Sequence, residues 1–413
     1  MVIGNKKTKK MNYKALIFSI LILCTTACNL EKIDDNQGGP SGNTCPVAKF
    51  STQIGGINYD YPVDVLATND CSFVVCGGTY TVNNNIQAYL VKTDDKGVQQ
   101  WERTYGTPSY DLISKVIPIK TGGYMICGAT SDFNPSTYYD AYLIKTDQNG
   151  IEAWQRNYEI PGFSVIASGI TQLADGGFLL ACSKNDTSAS PIAGQIAMIK
   201  IDANGGEEWT KLISTNSKNL SVADMESAAD GGFIIAGSAN DVVTSITQTY
   251  ILKLDASGNK VWEKFYTNPN STYSPGYAVT ALANGYAVAA SILGPNDHDF
   301  NVLFYDLNGT LKWEKTFGGV SADEATDIAA TSDGQVAVIG YSNSFSAMAE
   351  VYLLQLSSTD GSTIWEKHFG SGSSGSTVVA AAKDGGFIAS GTDFNTNNTD
   401  IVLFKTDKNG NFQ

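Results

Sequence analysis

Six tryptophans recur along the chain at a nearly constant interval. Trp101, Trp154, Trp209, Trp262, Trp313 and Trp365 are separated by 53, 55, 53, 51 and 52 residues. A glycine stands four residues before each: Gly97, Gly150, Gly205, Gly258, Gly309 and Gly361. Asp94, Asp147, Asp202, Asp255 and Asp306 precede the first five glycines by three. The sixth unit departs, with Ser357-Ser358-Thr359-Asp360-Gly361 marking a shifted turn. Asp407 and Gly410 supply a seventh copy. A fixed period of this kind means stacked supersecondary units, each unable to bury its apolar face alone.

Each unit reads as four strands. Upstream of the Asp-x-x-Gly turn runs a β-type segment, such as Ala88–Asp94 or Ile401–Asp407. A second lies behind an Asp-Gly-Gly-like turn, as in Gly232–Ser238. A third comes before that turn, and the tryptophan opens the fourth. The Asp/Gly sites suit tight connections between antiparallel strands.

Four-stranded units repeated radially are propeller blades. The two chain ends complete each other, which disfavours a linear stack. The seventh unit stops at Gln413, where its tryptophan strand should begin. The missing strand stands at the other end. Phe50-Ser51-Thr52-Gln53-Ile54-Gly55-Gly56 matches Trp313-Glu314-Lys315-Thr316-Phe317-Gly318-Gly319, with Phe50 in the tryptophan slot. The expected fold is therefore all-β: a seven-bladed β-propeller over residues 45–413, made of four-stranded antiparallel blades. An N-terminal strand completes the last blade and removes both sheet edges.

The Asp-x-x-Gly-x-x-x-Trp blade resembles the quinoprotein-like propeller repeat, and most of all the seven-bladed surface lipoproteins of Bacteroidota. The resemblance covers residues 45–413 and speaks to fold; propellers host enzymes, lectins and scaffolds alike. Quinone-dependent dehydrogenases of similar blade design usually have eight blades and an adjacent cysteine pair at the cofactor. This sequence has neither, so no cofactor is expected. Sialidases place an Asp-box at the same hairpin, with shorter gaps, and hold a carboxylate with three arginines. Arg103 and Arg156 are the only arginines here.

The first residues read as an address. Lys6, Lys7, Lys9, Lys10 and Lys14 precede an apolar run from Ala15 to Cys24, then Thr25-Thr26-Ala27-Cys28. A basic region, a short apolar region and small residues before a cut describe a secretory signal over 1–27. Its end resembles the bacterial lipobox, which implies lipidation of Cys28 and anchorage to a membrane. Residues 28–44 read as a flexible tether, with Gly38, Gly39, Pro40, Ser41 and Gly42. Glu31, Asp34 and Asp35 beside Cys28 resemble the surface-export signal of Bacteroidota lipoproteins. The expected place is the outer membrane, facing outward.

Charge removes several function classes. The full chain carries −14; without the five leader lysines, 22 basic residues face 41 acidic ones, about −19. Such a surface repels phosphate backbones, so nucleic acid is not expected as a partner. The chain is expected to be a monomer.

The remaining motifs read mostly as structure. Phe50 and the six tryptophans are expected to pack blade on blade. The turn aspartates are spread one per blade and are expected to cap their own turns, with no metal bound there. His298 and His368 are the only histidines; both read as surface residues. Cys76 and Cys127 occupy a slot filled elsewhere by Ala181 and Ala236 and read as small buried hydrophobes. In a ring closed by the Phe50 strand, Cys45 and Cys71 fall on one face of neighbouring blades, where a disulfide can pin the closure.

Loops after the second and fourth strands share one face and vary in length. They and their neighbours carry Tyr80, Tyr110, Asp111, Tyr138, Tyr139, Tyr273 and Tyr277, a set suited to adaptable recognition of protein or glycan. No catalytic constellation is legible. The expected function is a non-enzymatic binding module of the cell surface. A carbohydrate-binding accessory protein or glycan-active enzyme stays open as an alternative, and so does an envelope-assembly scaffold.

Overall fold

The computed structural model of the chain describes residues 45–412, apart from 82–84, 107–109, 132–137, 187–192, 216, 295–296, 347, 371–376 and 394–398. The expected signal segment, Cys28 and the tether lie outside the described residues.

Antiparallel meanders of four strands follow one another along the described chain. Strand β1 (Phe50–Ile54) comes first. Blade 1 holds β2 (Asp60–Ala67), β3 (Phe73–Tyr80), β4 (Ile86–Thr93) and β5 (Gln99–Tyr105). Blade 2 holds β6 (Tyr110–Pro118), β7 (Tyr124–Ser131), β8 (Asp140–Thr146) and β9 (Glu152–Tyr158). Blade 3 holds β10 (Ser164–Gln172), β11 (Phe178–Asp186), β12 (Ala193–Ile201) and β13 (Glu207–Ile213). Blade 4 holds β14 (Lys218–Ser227), β15 (Phe233–Asp241), β16 (Thr247–Leu254) and β17 (Lys260–Tyr266). Blade 5 holds β18 (Gly276–Leu282), β19 (Gly285–Leu293), β20 (His298–Asp306) and β21 (Leu311–Phe317). Blade 6 holds β22 (Asp323–Ala330), β23 (Val336–Ser342), β24 (Glu350–Leu356) and β25 (Thr363–Phe369). Blade 7 holds β26 (Val378–Ala381), β27 (Phe387–Asp393) and β28 (Asp400–Thr406), and β1 is its fourth strand.

The chain is a seven-bladed β-propeller. The closing strand pairs antiparallel with β28, from Phe50 opposite Lys405 to Ile54 opposite Ile401. A disulfide joins Cys45, just before that strand, to Cys71 in the first turn of blade 1, with Cα atoms 5.5 Å apart. It ties the strand that completes blade 7 to blade 1.

Burial follows strand position. The second and third strands of each blade are buried almost throughout, because neighbouring blades cover both faces; β7 and β24 are typical. Their sequences are accordingly continuous apolar runs rather than alternations. Outer strands such as β5 and β9 stay largely open to solvent. The core divides into clusters that sit between successive blades. Met125 and Leu143 of blade 2 pack with Phe178 and Ile199 of blade 3, and Ile388 and Leu403 of blade 7 pack with Val75 and Val91 of blade 1.

The aromatic repeat and the glycine repeat meet across these seams. Each ring sits on the turn glycine of the following blade. A Cβ on Gly150 would lie 2.8 Å from the Trp101 ring, and one on Gly361 2.7 Å from the Trp313 ring. Phe50 covers Gly97 in the same way, at 2.5 Å, and Trp365 covers Gly410 at 2.7 Å. These glycines also have φ near +75°, which other residues adopt at a cost. The period of the sequence is thus a docking period: one ring on one glycine per seam.

The turn aspartates act as caps. Asp94 Oδ1 accepts the Lys96 and Val98 N–H groups, both at 2.9 Å, and Asp255 Oδ1 accepts those of Ser257 and Asn259. On the same lower face, third-strand lysines reach the aspartates of the turns between first and second strands. Lys92 meets Asp70 at 2.6 Å, Lys253 meets Asp230 at 2.9 Å and Lys405 meets Asp384 at 2.7 Å.

Candidate functional site

Two regions carry polar side chains with no part in blade turns: the central channel and the upper rim, where the variable loops lie.

The innermost strands line a cavity of about 450 Å³. Six of these strands bulge in their outward register, for example between Pro62 and Asp64 and between Ile113 and Lys115. In four of the six the residue after the bulge lines the lumen: Asp64, Lys115, Asp224 and Asp327. Around the ring that position is Asp64, Lys115, Gly169, Asp224, Ala278 and Asp327, with Val378 at the matching place in blade 7.

The three aspartates make the same pair of bonds. Asp64 accepts its neighbour Val65 N–H at 2.8 Å and, across the seam, Val116 N–H at 2.9 Å. Asp224 takes Met225 N–H and Val279 N–H, at 2.8 and 3.1 Å. Asp327 takes Ile328 N–H and Val379 N–H, both at 2.8 Å. Two residues further along the strand, Glu226 accepts Ala281 N–H at 3.0 Å, and Thr280 accepts Ala330 N–H at 3.0 Å. Each carboxylate therefore staples its blade to the next. Lys115 pairs with Asp224 and reaches the Met225 carbonyl. Gly169 lies between them in ring order, where a Cβ would press on Met225 Cβ at 2.5 Å.

Confinement raises the acids. Burial pushes Asp64 up to about 6, against the pull of Lys115 and the Val116 N–H. It pushes Glu226 up to about 7 and Asp327 well above the usual carboxylate range. Burial pulls the Lys115 ammonium down, but Asp224, Glu226 and Asp64 outweigh it and hold the group above the usual lysine range. No histidine or cysteine is among the described lining residues. The channel chemistry is that of seam staples rather than of a nucleophile set beside a base.

On the upper rim the tyrosines separate into groups. Tyr80 ends β3 and meets Tyr59 edge-on at 5.2 Å and Tyr61 at 6.3 Å. Tyr110 and Asp111 begin β6; Tyr110 is 38% exposed while Asp111 is fully buried, so Asp111 offers nothing to a surface ligand. Tyr138 and Tyr139 are half-buried, and the Tyr139 N–H donates to Ser164 Oγ. Tyr273 and Tyr277 come together at the corner of blades 5 and 6. Tyr273 is 38% exposed, lies within hydrogen-bonding reach of Tyr277 and stands edge-on to His298 at 5.6 Å. Tyr277 donates to Glu324 Oε1, and Tyr341 donates to Glu324 Oε2. Burial, then Glu324, pushes the Tyr277 phenol above the usual tyrosine range.

Several of these residues were not legible in sequence. Glu324 and Tyr341 sit in strands whose neighbours are ordinary blade residues. His368 reads as generic surface, yet its ring lies between Phe345 and Tyr352, at 4.3 and 4.4 Å, and its Nδ1 is 3.1 Å from Glu350. Among the described residues no group of three or more His, Cys, Asp or Glu side chains is arranged to hold a metal.

No protein-family model matches the chain, and no curated protein matches it. Solved structures of similar fold exist. A quinohemoprotein alcohol dehydrogenase of Pseudomonas putida HK5 matches at 11% identity and TM-score 0.46, over 81% of this chain and 65% of that one. The quinohemoprotein alcohol dehydrogenase of Comamonas testosteroni matches at 10% identity and TM-score 0.49, over 87% and 76%. A puromycin hydrolase mutant matches at 13% identity and TM-score 0.54, over 84% of this chain and 51% of that one. The likeness is one of fold, and the chain spans about half the length of the hydrolase.

Proposed function

We propose that this protein is a non-enzymatic binding module, lipid-anchored through Cys28 at the outer surface, that takes its ligand on the upper face at the corner of blades 5 and 6. One observation carries the reading: Tyr277 and Tyr341 both donate to Glu324, and Tyr273 lies within hydrogen-bonding reach of Tyr277. In blade 6 Phe345 is 48% exposed, and in the connection leading into that blade Val320 is 77% exposed. Phenol and carboxylate groups with bare apolar residues on the same blade pair suit a partner that offers hydrogen-bond donors and an apolar face together, a polypeptide segment or the face of a saccharide. Tyrosine adds contact area at little conformational cost, because only two torsions need fixing. The channel carboxylates support the non-enzymatic part of the reading, since their oxygens are engaged by backbone N–H groups across the seams.

The full-length protein in detergent, screened on a glycan array and by pull-down from the cell envelope, tests this. Tyr273→Ala and Glu324→Gln should each weaken the captured ligand at least about tenfold, the range of a truncated interface anchor. Binding untouched by both changes, or turnover of the ligand to a product, would overturn the proposal.

A further inference from the structure

Everything N-terminal to Cys45 joins the propeller through that residue. Cys45 stands five residues before Phe50, the start of β1. β1 is the outer edge of blade 7: it pairs with β28 alone, and its side chains alternate between half-buried and exposed until Ile54. Its Phe50 end lies at the lower face, opposite Lys405, and the strand runs upward from there. Cys45 is also bonded to Cys71, in the lower turn between β2 and β3. β3 is buried almost throughout and is paired on both sides, with β2 and with β4.

The turn that holds Cys71 departs from its counterparts. The equivalent residue in five other blades is glycine: Gly122, Gly176, Gly231, Gly334 and Gly385, with φ from +77° to +88°. Gly176 N–H closes its turn on the Leu173 carbonyl, and Cys71 N–H closes on that of Thr68 in the same way, both at 3.2 Å. Cys71 itself has φ of +65°. A residue with a side chain adopts that conformation at a cost that glycine escapes. Blade 1 thus keeps a strained cysteine in a glycine slot, and its thiol meets the residue through which the preceding chain arrives.

We infer that the Cys45–Cys71 disulfide is a tension clamp: it passes a pull on the N-terminal segment into the β2–β3 hairpin of blade 1 and shields the closing strand. For the source of the pull the inference rests on the reading above, a lipid anchor on one side and a ligand held at the corner of blades 5 and 6 on the other. The anchored segment arrives at the lower face and the corner lies on the upper, so tension between them runs along the strand axes. With the thiols unlinked, that tension reaches β1 first and slides it along β28, its one partner. With the disulfide formed, Cys45 cannot leave Cys71, whose Cα lies 5.5 Å away, and residues 46–49 carry no load. The pull must then extract an inner hairpin covered from both sides. Val75 packs with Ile388 and Leu403 of blade 7, and Val74 packs with Ile126 and Ile144 of blade 2.

The test pulls single molecules of the full-length protein between a handle at Gln37 and one at Val243, an exposed residue of the upper loop after β15. The oxidised parent should give no step before whole blades unfold. In dithiothreitol, or with Cys45→Ser and Cys71→Ser, a first step should appear at about half that force or less, one strand ladder breaking instead of two. It should free residues 45–59, about 50 Å of contour at the 3.3–3.6 Å each residue can span. Cys45→Ser with Cys71→Gly restores the turn glycine of the other blades. It should melt closer to the parent than the double serine variant does and still give the early step, which separates the force path from stability. Handles at Ile151 and Val243 bypass Cys45, and reduction should leave the first step between them unchanged. Equal first-step forces in oxidised and reduced protein would overturn the inference. So would an equal fall in both pulling geometries, since the disulfide would then be a general stabiliser. These measurements need neither lipid nor ligand, and mass analysis of the peptide bearing Cys28 tests the anchor, so either reading can fail alone.

Discussion

Replacing Trp313 by alanine should cost about 3–5 kcal/mol of stability, and replacing it by phenylalanine much less. Trp313 is 8% exposed, stacks on Phe304 with centroids 5.4 Å apart and planes 9° from parallel, and covers Gly361. An indole buries roughly 200 Å², and at about 25 cal/mol per Å² its transfer from water is worth about 5 kcal/mol. Alanine forfeits most of that and leaves a void at the seam of blades 5 and 6. Phenylalanine keeps most of the contact and loses the hydrogen bond from Nε1 to the Ser358 carbonyl at 3.1 Å, a net loss of about 1 kcal/mol, plus a few tenths for the smaller ring. The chain itself uses phenylalanine in this slot, at Phe50 on Gly97. Urea unfolding followed by far-UV circular dichroism, with the fluorescence of the other five tryptophans as a second probe, measures both variants. If Trp313→Phe costs as much as Trp313→Ala, the hydrogen bond and not the ring holds the seam. If Trp313→Ala costs under about 1 kcal/mol, the docking account of the repeat is wrong.

Three further outcomes follow from the same contacts. Gly150→Ala should destabilise by about 2–3 kcal/mol, since it adds a clash with the Trp101 ring at 2.8 Å to a φ of +72°, whereas Gly162→Ala, with φ of +84° and open space around it, should cost only the backbone term of about 1 kcal/mol; paired thermal melts compare them. Cys45→Ser with Cys71→Ser should lower stability by about 3 kcal/mol by loop entropy, for a separation of 26 residues, and dithiothreitol should lower the Tm of the parent but not of the variant. For pH, the folded state holds the protons of Asp64 and Glu226 up to about 6 and 7, above their ordinary 3.8 and 4.5. Their burden is therefore absent below those ordinary values and grows as pH rises through the folded ones. Stability should climb as pH falls from 8 toward 5, by about 1–2 kcal/mol for each acid once contact with channel water is allowed for. Asp64→Asn with Glu226→Gln should flatten that slope in urea titrations. Asp70, held down to about 2 chiefly by Lys92 against the effect of burial, works the other way, and its contribution is lost only as pH falls below about 3.8.

Much of the fold was legible because it is periodic. The tryptophan, glycine and aspartate positions are local features of one blade, and repetition multiplied a weak signal seven times. Phe50 showed the ring closure because Gly55 and Gly56 kept the surrounding pattern. The site was far less legible. Asp64, Lys115 and Asp224 fall in inner strands at no constant residue type, so no motif marks them; only the bulge turns each to the lumen, and only the ring sets Lys115 opposite Asp224. The tyrosines were visible as a composition, but Tyr80 and Tyr277 belong to strands rather than loops, and Asp111 is buried by the seam it joins.

The division has one physical cause. Turn chemistry, apolar runs and the aromatic slot are decided within some fifty residues, so sequence alone determined blade, blade number and closure. Seams form between residues about fifty apart, and the closing strand of blade 7 joins opposite ends of the chain, with Gln53 donating to Asp400. Which carboxylate takes a neighbour's N–H and which phenols meet Glu324 are properties of those seams, and only the closed ring decides them.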